Sequence, residues 1–298
     1  MPDITHLQFA LLFLTSLLFA GAFILGLRNF RHASTVGSIL HRGATGPEAS
    51  MGIPARTAIA IATVLDLALL LWRAASENKL SLPLSNHFDA FTLLALLLAI
   101  VLIYLRWTRH LRSLAFFLLP MIVVLLIMGA ALSLYAPQNY YYGSIWMDVH
   151  IVSIIAGTLC FALGCVGGIV YLIAHRQLKQ KGSAGVDGSR RWIGLPPLAS
   201  IEKFNQWMIY LGFPLLTIAI ITGALRVIQE PDILQRTPLL WKISLATLSW
   251  LVYAVIAHLP LAPRFRGPRA AWLWIIGFAL FIGGFVVASG IRIGGGGS

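Results

Sequence analysis

The chain has 298 residues, of which 58% are hydrophobic and 11% charged, and its mean hydropathy is +0.84. A soluble domain of this size carries about 25% charged residues, so the composition excludes a water-soluble globule and indicates an integral membrane protein. The net charge of +12 does not point to nucleic acid, because the basic residues sit at the ends of apolar blocks, where membrane proteins place them.

The apolar residues fall into blocks of roughly 20, the length that crosses a bilayer core as a helix. Eight spans are predicted, at about 7–27, 54–73, 88–105, 114–135, 149–174, 205–225, 240–259 and 271–290. The period-2 alternation of a membrane β-barrel is absent. The expected fold is an all-α polytopic helix bundle, one transmembrane domain over residues 1–293. Gly294–Ser298 reads GGGGS and is set aside as a linker or tag remnant. The block 7–27 lacks a basic n-region and a small-residue cleavage site, so it reads as a retained helix.

Charge orients the bundle. Of the 22 Lys and Arg, six (Arg73, Lys79, Arg226, Arg236, Lys242 and Arg292) end or follow spans 2, 6 and 8 or open span 7. The other sixteen follow spans 1, 3, 5 and 7 or open the next span, which assigns those connections to the cytoplasm and both termini to the external face. The expected location is a bacterial-type inner (plasma) membrane. The cytoplasmic connection over about 175–204, with KGSAGVDGSRR, reads as solvated. The external stretch APQNYYYGSIWMDVH carries Tyr140, Tyr141, Tyr142 and Trp146, either as an interfacial belt or as an aromatic platform at the mouth of a site.

Nucleotide-binding and zinc-protease motifs are missing: there is no Walker A sequence, Rossmann fingerprint or HExxH. Cys160 and Cys165 lie five apart in one apolar block, outside any CxxC, and read as packing residues. Polar groups inside spans are costly and each needs an account. Asp66 lies deep in span 2, where it either fixes packing through a buried hydrogen bond or serves a ligand or proton path. His87 opens span 3 and His150 opens span 5 at the external face, in NHFDAF and WMDVH. Two histidines from neighbouring helices at one depth can ligate a haem iron from both sides, with Asp89, Trp146 and Asp148 beside them. His258 closes span 7 at the cytoplasmic face, two turns from Trp250. It is either a second haem contact or a capping group. His32, His41, His110 and His175 sit in basic cytoplasmic edges and read as charged flanks.

Several segments resemble the cytochrome c assembly family, the haem-handling membrane proteins of the CcsA and HemX types. They are LGFPLLTIAIITGAL (211–225) after IEKFNQWMIY, WLVYAVIAHL (250–259), RGPRAAWLWIIGFALF, span 5 with its early histidine, and LSNHFDAF at the start of span 3. The resemblance runs from about 80 to 290. It implies binding of haem b and a role in cytochrome c maturation, with His150 as an external haem ligand and His258 as a membrane histidine at the point of haem entry. His87 is the further axial candidate, inferred from this sequence.

The family's full haem synthetases carry a tryptophan-rich segment ending Trp-Asp-Pro between spans 6 and 7, and a second external histidine near the last helix. Here the first is RVIQEPDILQRTPLLWK, with only Trp241, and the chain closes with GFVVASGIRI. These departures point to a HemX-like haem carrier or assembly factor rather than a complete lyase. The expected partners are lipid, haem, and another membrane or external assembly protein. A regulatory subunit without haem and a small-molecule transporter using Asp66 are the competing readings.

Overall fold

The computed structural model describes residues 6–36, 52–76, 86–107, 112–135, 145–183, 195–229, 239–258 and 267–290. Tyr140 to Tyr142, His41, His110, the middle of the 175–204 connection and the GGGGS end lie outside them. Among the described residues there are eight long helices: α1 (His6–Val36), α2 (Ile53–Ser76), α3 (His87–Trp107), α4 (Arg112–Tyr135), α5 (Ile145–Ser183), α6 (Leu198–Gln229), α7 (Leu239–His258) and α8 (Pro268–Gly290). The protein is an all-α polytopic membrane protein. Six helices are long and apolar enough to cross a membrane, and α7 and α8 contribute shorter apolar stretches, Ile243–His258 and Pro268–Gly284.

The helices extend past the predicted spans, most at α5 and α6. Hydropathy marks only the lipid-facing part of a helix. The backbone goes on pairing i to i−4 into polar flanks until a cap or a proline ends it. Asn86 supplies such a cap at α3, where its Oδ1 accepts the Asp89 N–H at 3.0 Å. Pro120 and Pro214 lie inside α4 and α6 without ending either helix, as membrane helices tolerate.

Two compact units make up the chain. The first comprises Met1–Pro83, Phe91–Ala130 and Val170–Glu202. Its α1 and α2 pack on each other. Along the seam the buried positions of α1 are Gln8, Leu12, Thr15, Phe19 and Ala22, and those of α2 are Ala55, Ile59, Ala62, Asp66, Leu69 and Arg73, with Ser16 and Leu70 buried beside them. Both sets are spaced alternately by three and four, which is the narrow seam of a two-helix, coiled-coil-like contact. Gln8 Oε1 accepts a hydrogen bond from Arg73 Nη1 at 3.0 Å and fixes the register. Phe13, Leu17, Ile61, Val64 and Leu71 point away from the seam and are exposed, as lipid-facing side chains are. Phe23 stacks on Phe116 at 4.9 Å and joins α1 to α4.

The second unit comprises Leu84–Ala90, Ala131–Ile169 and Lys203–Ser298. It holds the first half of α5 with most of α6 and all of α7 and α8. Small residues on α5 let its neighbours approach closely, the usual basis of helix packing in lipid. A Cβ on Gly164 would run into the Trp274 ring of α8, and one on Gly167 into the Asn205 amide of α6. Conversely, a Cβ on Gly212 of α6 would sit 2.9 Å from Cys160 Cβ. The core of this unit is an aromatic stack, with Phe161 and Tyr253 face to face at 3.6 Å and Trp274 edge-on to Tyr253 at 5.8 Å. Ser249 Oγ of α7 donates to the Gly277 carbonyl of α8 at 3.1 Å.

Candidate functional site

The contacts of α5 with α6 run in antiparallel register. Gly167 meets Asn205, Cys160 meets Gly212, and Gly157 meets Leu215 and Leu216. Continued toward the start of α5, the same register brings His150 against the Ala219–Gly223 turn of α6. There His150 Nδ1 lies 2.7 Å from the Ala219 carbonyl oxygen. Thr222 Oγ1 is 3.4 Å from the same nitrogen, and its hydroxyl also reaches the Ile218 carbonyl at 2.7 Å and the Ala219 carbonyl at 3.1 Å. A carbonyl only accepts, so Nδ1 carries the proton and donates. In the neutral ring that leaves Nε2 with its lone pair free. Metal-binding histidines are held in this way, with the second ring nitrogen tied to a carbonyl so that tautomer and orientation are both set.

Gly223 makes room for the ring: a Cβ there would lie 3.0 Å from His150 Cε1 and 3.3 Å from Nδ1. Thr222 and Gly223 are therefore parts of the site that sequence reasoning missed. Their signal is the ITG triplet within the quoted α6 segment, a hydroxyl and an absent side chain side by side in an otherwise apolar helix.

His258 repeats the pattern at the other end of the unit. Its Nδ1 is 2.7 Å from the Ala254 carbonyl one turn back, and the residue is exposed. Both α5 and α7 run antiparallel to α8, α5 through Gly164–Trp274 and Gly168–Ala271, and α7 through Ser249–Gly277 and Tyr253–Trp274. So α5 and α7 run parallel, level at the Phe161–Tyr253 stack. His150 lies eleven residues before Phe161 and His258 five after Tyr253. At 1.5 Å per residue the two imidazoles are roughly 24 Å apart along the bundle. They cannot ligate the two faces of one haem.

The other sequence candidates fall as follows. Trp146 is 44% exposed and lies one turn before His150, on the same face of α5. Asp148 is exposed, two residues before His150 and therefore on a different face. Asp89 is fully buried in the first turn of α3. His87 begins that helix, and the segment Leu84–Ala90 belongs to the same compact unit as His150; the His87 side chain lies outside the described residues. Trp250 holds α6 to α7: its Nε1 donates to Thr217 Oγ1 at 3.0 Å and its ring stacks on Phe213 at 5.6 Å. Asp66 is in the first unit, at the α1–α2 seam. Among the described residues no three His, Cys, Asp or Glu side chains gather as a metal cluster, a grouping that axial ligation of haem does not need.

The family described as Cytochrome C assembly protein matches residues 84–292. The chain belongs to that family. Its relatives include a protein named Cytochrome c biogenesis protein CcsA from Heterosigma akashiwo, 23% identical over 241 residues, which are 70% of this chain and 73% of that protein. A second, of the same name from Guillardia theta, is 26% identical over 216 residues, 66% of this chain and 70% of the relative. No solved structure matches the chain significantly. The match begins at the α3 cap and takes in His150, the Ala219–Gly223 turn and His258, while α1 and α2 lie outside it.

Proposed function

We propose that this protein handles haem in cytochrome c biogenesis, holding haem b through Nε2 of His150 and passing it to an assembly partner. The observation that carries the reading is the hydrogen bond from His150 Nδ1 to the Ala219 carbonyl, which leaves Nε2 as the free nitrogen of an oriented imidazole. The family membership and the CcsA relatives support the biological role. The donor chemistry fits haem: a neutral imidazole at the mouth of an apolar bundle, with the Trp146 ring one turn away. His87 is the proposed second axial ligand. His258, roughly 24 Å away along the bundle, makes a separate contact at the end where haem enters. The charge distribution supports external termini and an inner-membrane setting.

When bound, haem supplies an iron centre of adjustable potential. The protein supplies the ligand, its orientation and the exclusion of water. A second reading, an accessory HemX-like subunit without haem-attachment activity, is favoured by RVIQEPDILQRTPLLWK, which runs from the end of α6 into the start of α7 and has Trp241 as its one tryptophan. The test is an absorption spectrum of detergent-purified protein, oxidised and then dithionite-reduced, with a pyridine haemochrome assay. A Soret band with sharp reduced α and β bands, lost in His150→Ala, is the expected result. A colourless preparation that takes up no added haem would select the accessory reading.

A further inference from the structure

The α1–α2 hairpin lies outside the matched family region, and nothing in the haem reading uses it. Yet it holds a buried carboxylate with no hydrogen-bond partner. The Asp66 side chain is 0% exposed, and neither carboxylate oxygen has a hydrogen-bond partner. Counting seven residues inward from the Gln8–Arg73 bond on each helix brings Thr15 level with Asp66. Leu12, Phe19, Ala62 and Leu69 are buried around that level, and Ser16 is the other buried polar side chain beside Thr15.

Three occupants would satisfy a buried carboxylate: a cationic side chain, a metal cation or a proton. An ionised carboxylate without any of them is strongly unfavourable in such a place. Complete burial by its own chain keeps lipid headgroups and the cations of a partner helix away. Along the two helices of the seam the charged and titratable groups are distant. On α2 they are Arg73, about 10 Å along the helix and engaged with Gln8, and Arg56, about 15 Å away. On α1 they are His6 and Arg28, about 14 and 20 Å from the level of Thr15. In the parts of the other helices that share the unit, the described groups are Tyr104 and Arg106 at the end of α3, Tyr171, His175, Arg176 and Lys179 in the second half of α5, and Glu202 in the first turns of α6.

A metal cation needs a shell of oxygens. The side-chain oxygens nearest in register are the hydroxyls of Thr15, Ser16 and Thr63, which donate to Leu11, Leu12 and Ile59 at 2.8, 2.9 and 2.8 Å and not to Asp66. One carboxylate and these few oxygens do not make such a shell, whereas a proton needs only the carboxylate itself.

We propose that Asp66 is a proton-binding site inside the membrane, at which the carboxylate takes up one proton to become a neutral acid and exchanges it along the α1–α2 seam toward Gln8 and Arg73. The balance is one proton and one negative charge; no electrons move. Exchange requires local opening of the seam, of the kind folded proteins undergo below global unfolding.

The experiment is infrared spectroscopy of the full chain in phosphatidylcholine vesicles, in H2O and in D2O, across a pH series. The expected result is a protonated-carboxyl C=O band that is missing in Asp66→Asn, shifts in D2O and declines at high pH, with sodium having no effect on it. Should Asp66→Asn not fold, Asp66→Glu in protein labelled with 13C-aspartate moves the band out of the labelled set and makes the same assignment. No such band, a band that survives the substitution, or one that neither exchanges in D2O nor changes with pH would overturn the proposal. Loss of the band on adding sodium would replace the proton by a metal cation and overturn it equally. None of these outcomes bears on haem binding, which is read separately in the Soret region.

Discussion

His150 and Gly223 face each other across α5 and α6, with the space a Cβ would occupy on Gly223 lying 3.0 Å from His150 Cε1. The imidazole is held from two sides, by the Ala219 carbonyl on Nδ1 and by the bare backbone of Gly223 against its edge. This makes Gly223 a positioning residue for the proposed ligand. Gly223→Ala should displace the ring by a few tenths of an ångström and lower haem affinity by about tenfold, within the range for losing a group that orients a metal ligand. Thermal unfolding should hardly change, because Ala is also the better helix former. Haem titration of the variant checks this; unchanged affinity with unchanged Tm would show that the ring position does not matter to binding.

Removing the imidazole should be reversible from outside. His150→Gly leaves a ring-sized space beside the Ala219 carbonyl. Added free imidazole can refill it, donate to that carbonyl and present a nitrogen to iron. The expected outcome is loss of the Soret band in the variant and its return with imidazole. Return without imidazole would mean that another residue ligates the iron.

How far the site was legible depends on what kind of signal each residue carries. The eight spans, His150 and His258 stand out because apolar runs and a titratable group at a span edge are visible in one dimension. Gly223 is not visible, since a glycine in a membrane helix has many reasons to be there and only the α5–α6 register shows which ring it faces. The overruns of α5 and α6 were hidden for a different reason: hydropathy ends at the bilayer surface, while backbone hydrogen bonding does not. Asp66 was visible as an anomaly, but its setting opposite Thr15 follows only from the Gln8–Arg73 register.

Trp250 separates packing from ligand binding. Its indole N–H is spent on Thr217, whose own hydroxyl donates to the Phe213 carbonyl at 2.9 Å. Trp250→Phe therefore removes one hydrogen bond without leaving Thr217 unsatisfied, a loss of about 0.5–1 kcal/mol. A slightly lowered Tm with an unchanged Soret band is expected. A shifted Soret band would bring Trp250 to the haem itself.

The distance between His150 and His258 makes the last prediction. Sites roughly 24 Å apart with no shared partner act independently unless the bundle couples them. If each holds haem separately, the single variants His150→Ala and His258→Ala should each remove part of the haem, and the double variant the sum of the two losses. The pyridine haemochrome content of the four proteins, normalised to chain, measures this. If one haem moved between the sites, either single variant would change the spectrum of the haem left on the other, and the losses would not add. Additive losses with unchanged line shapes fit two separate contacts, one at each histidine.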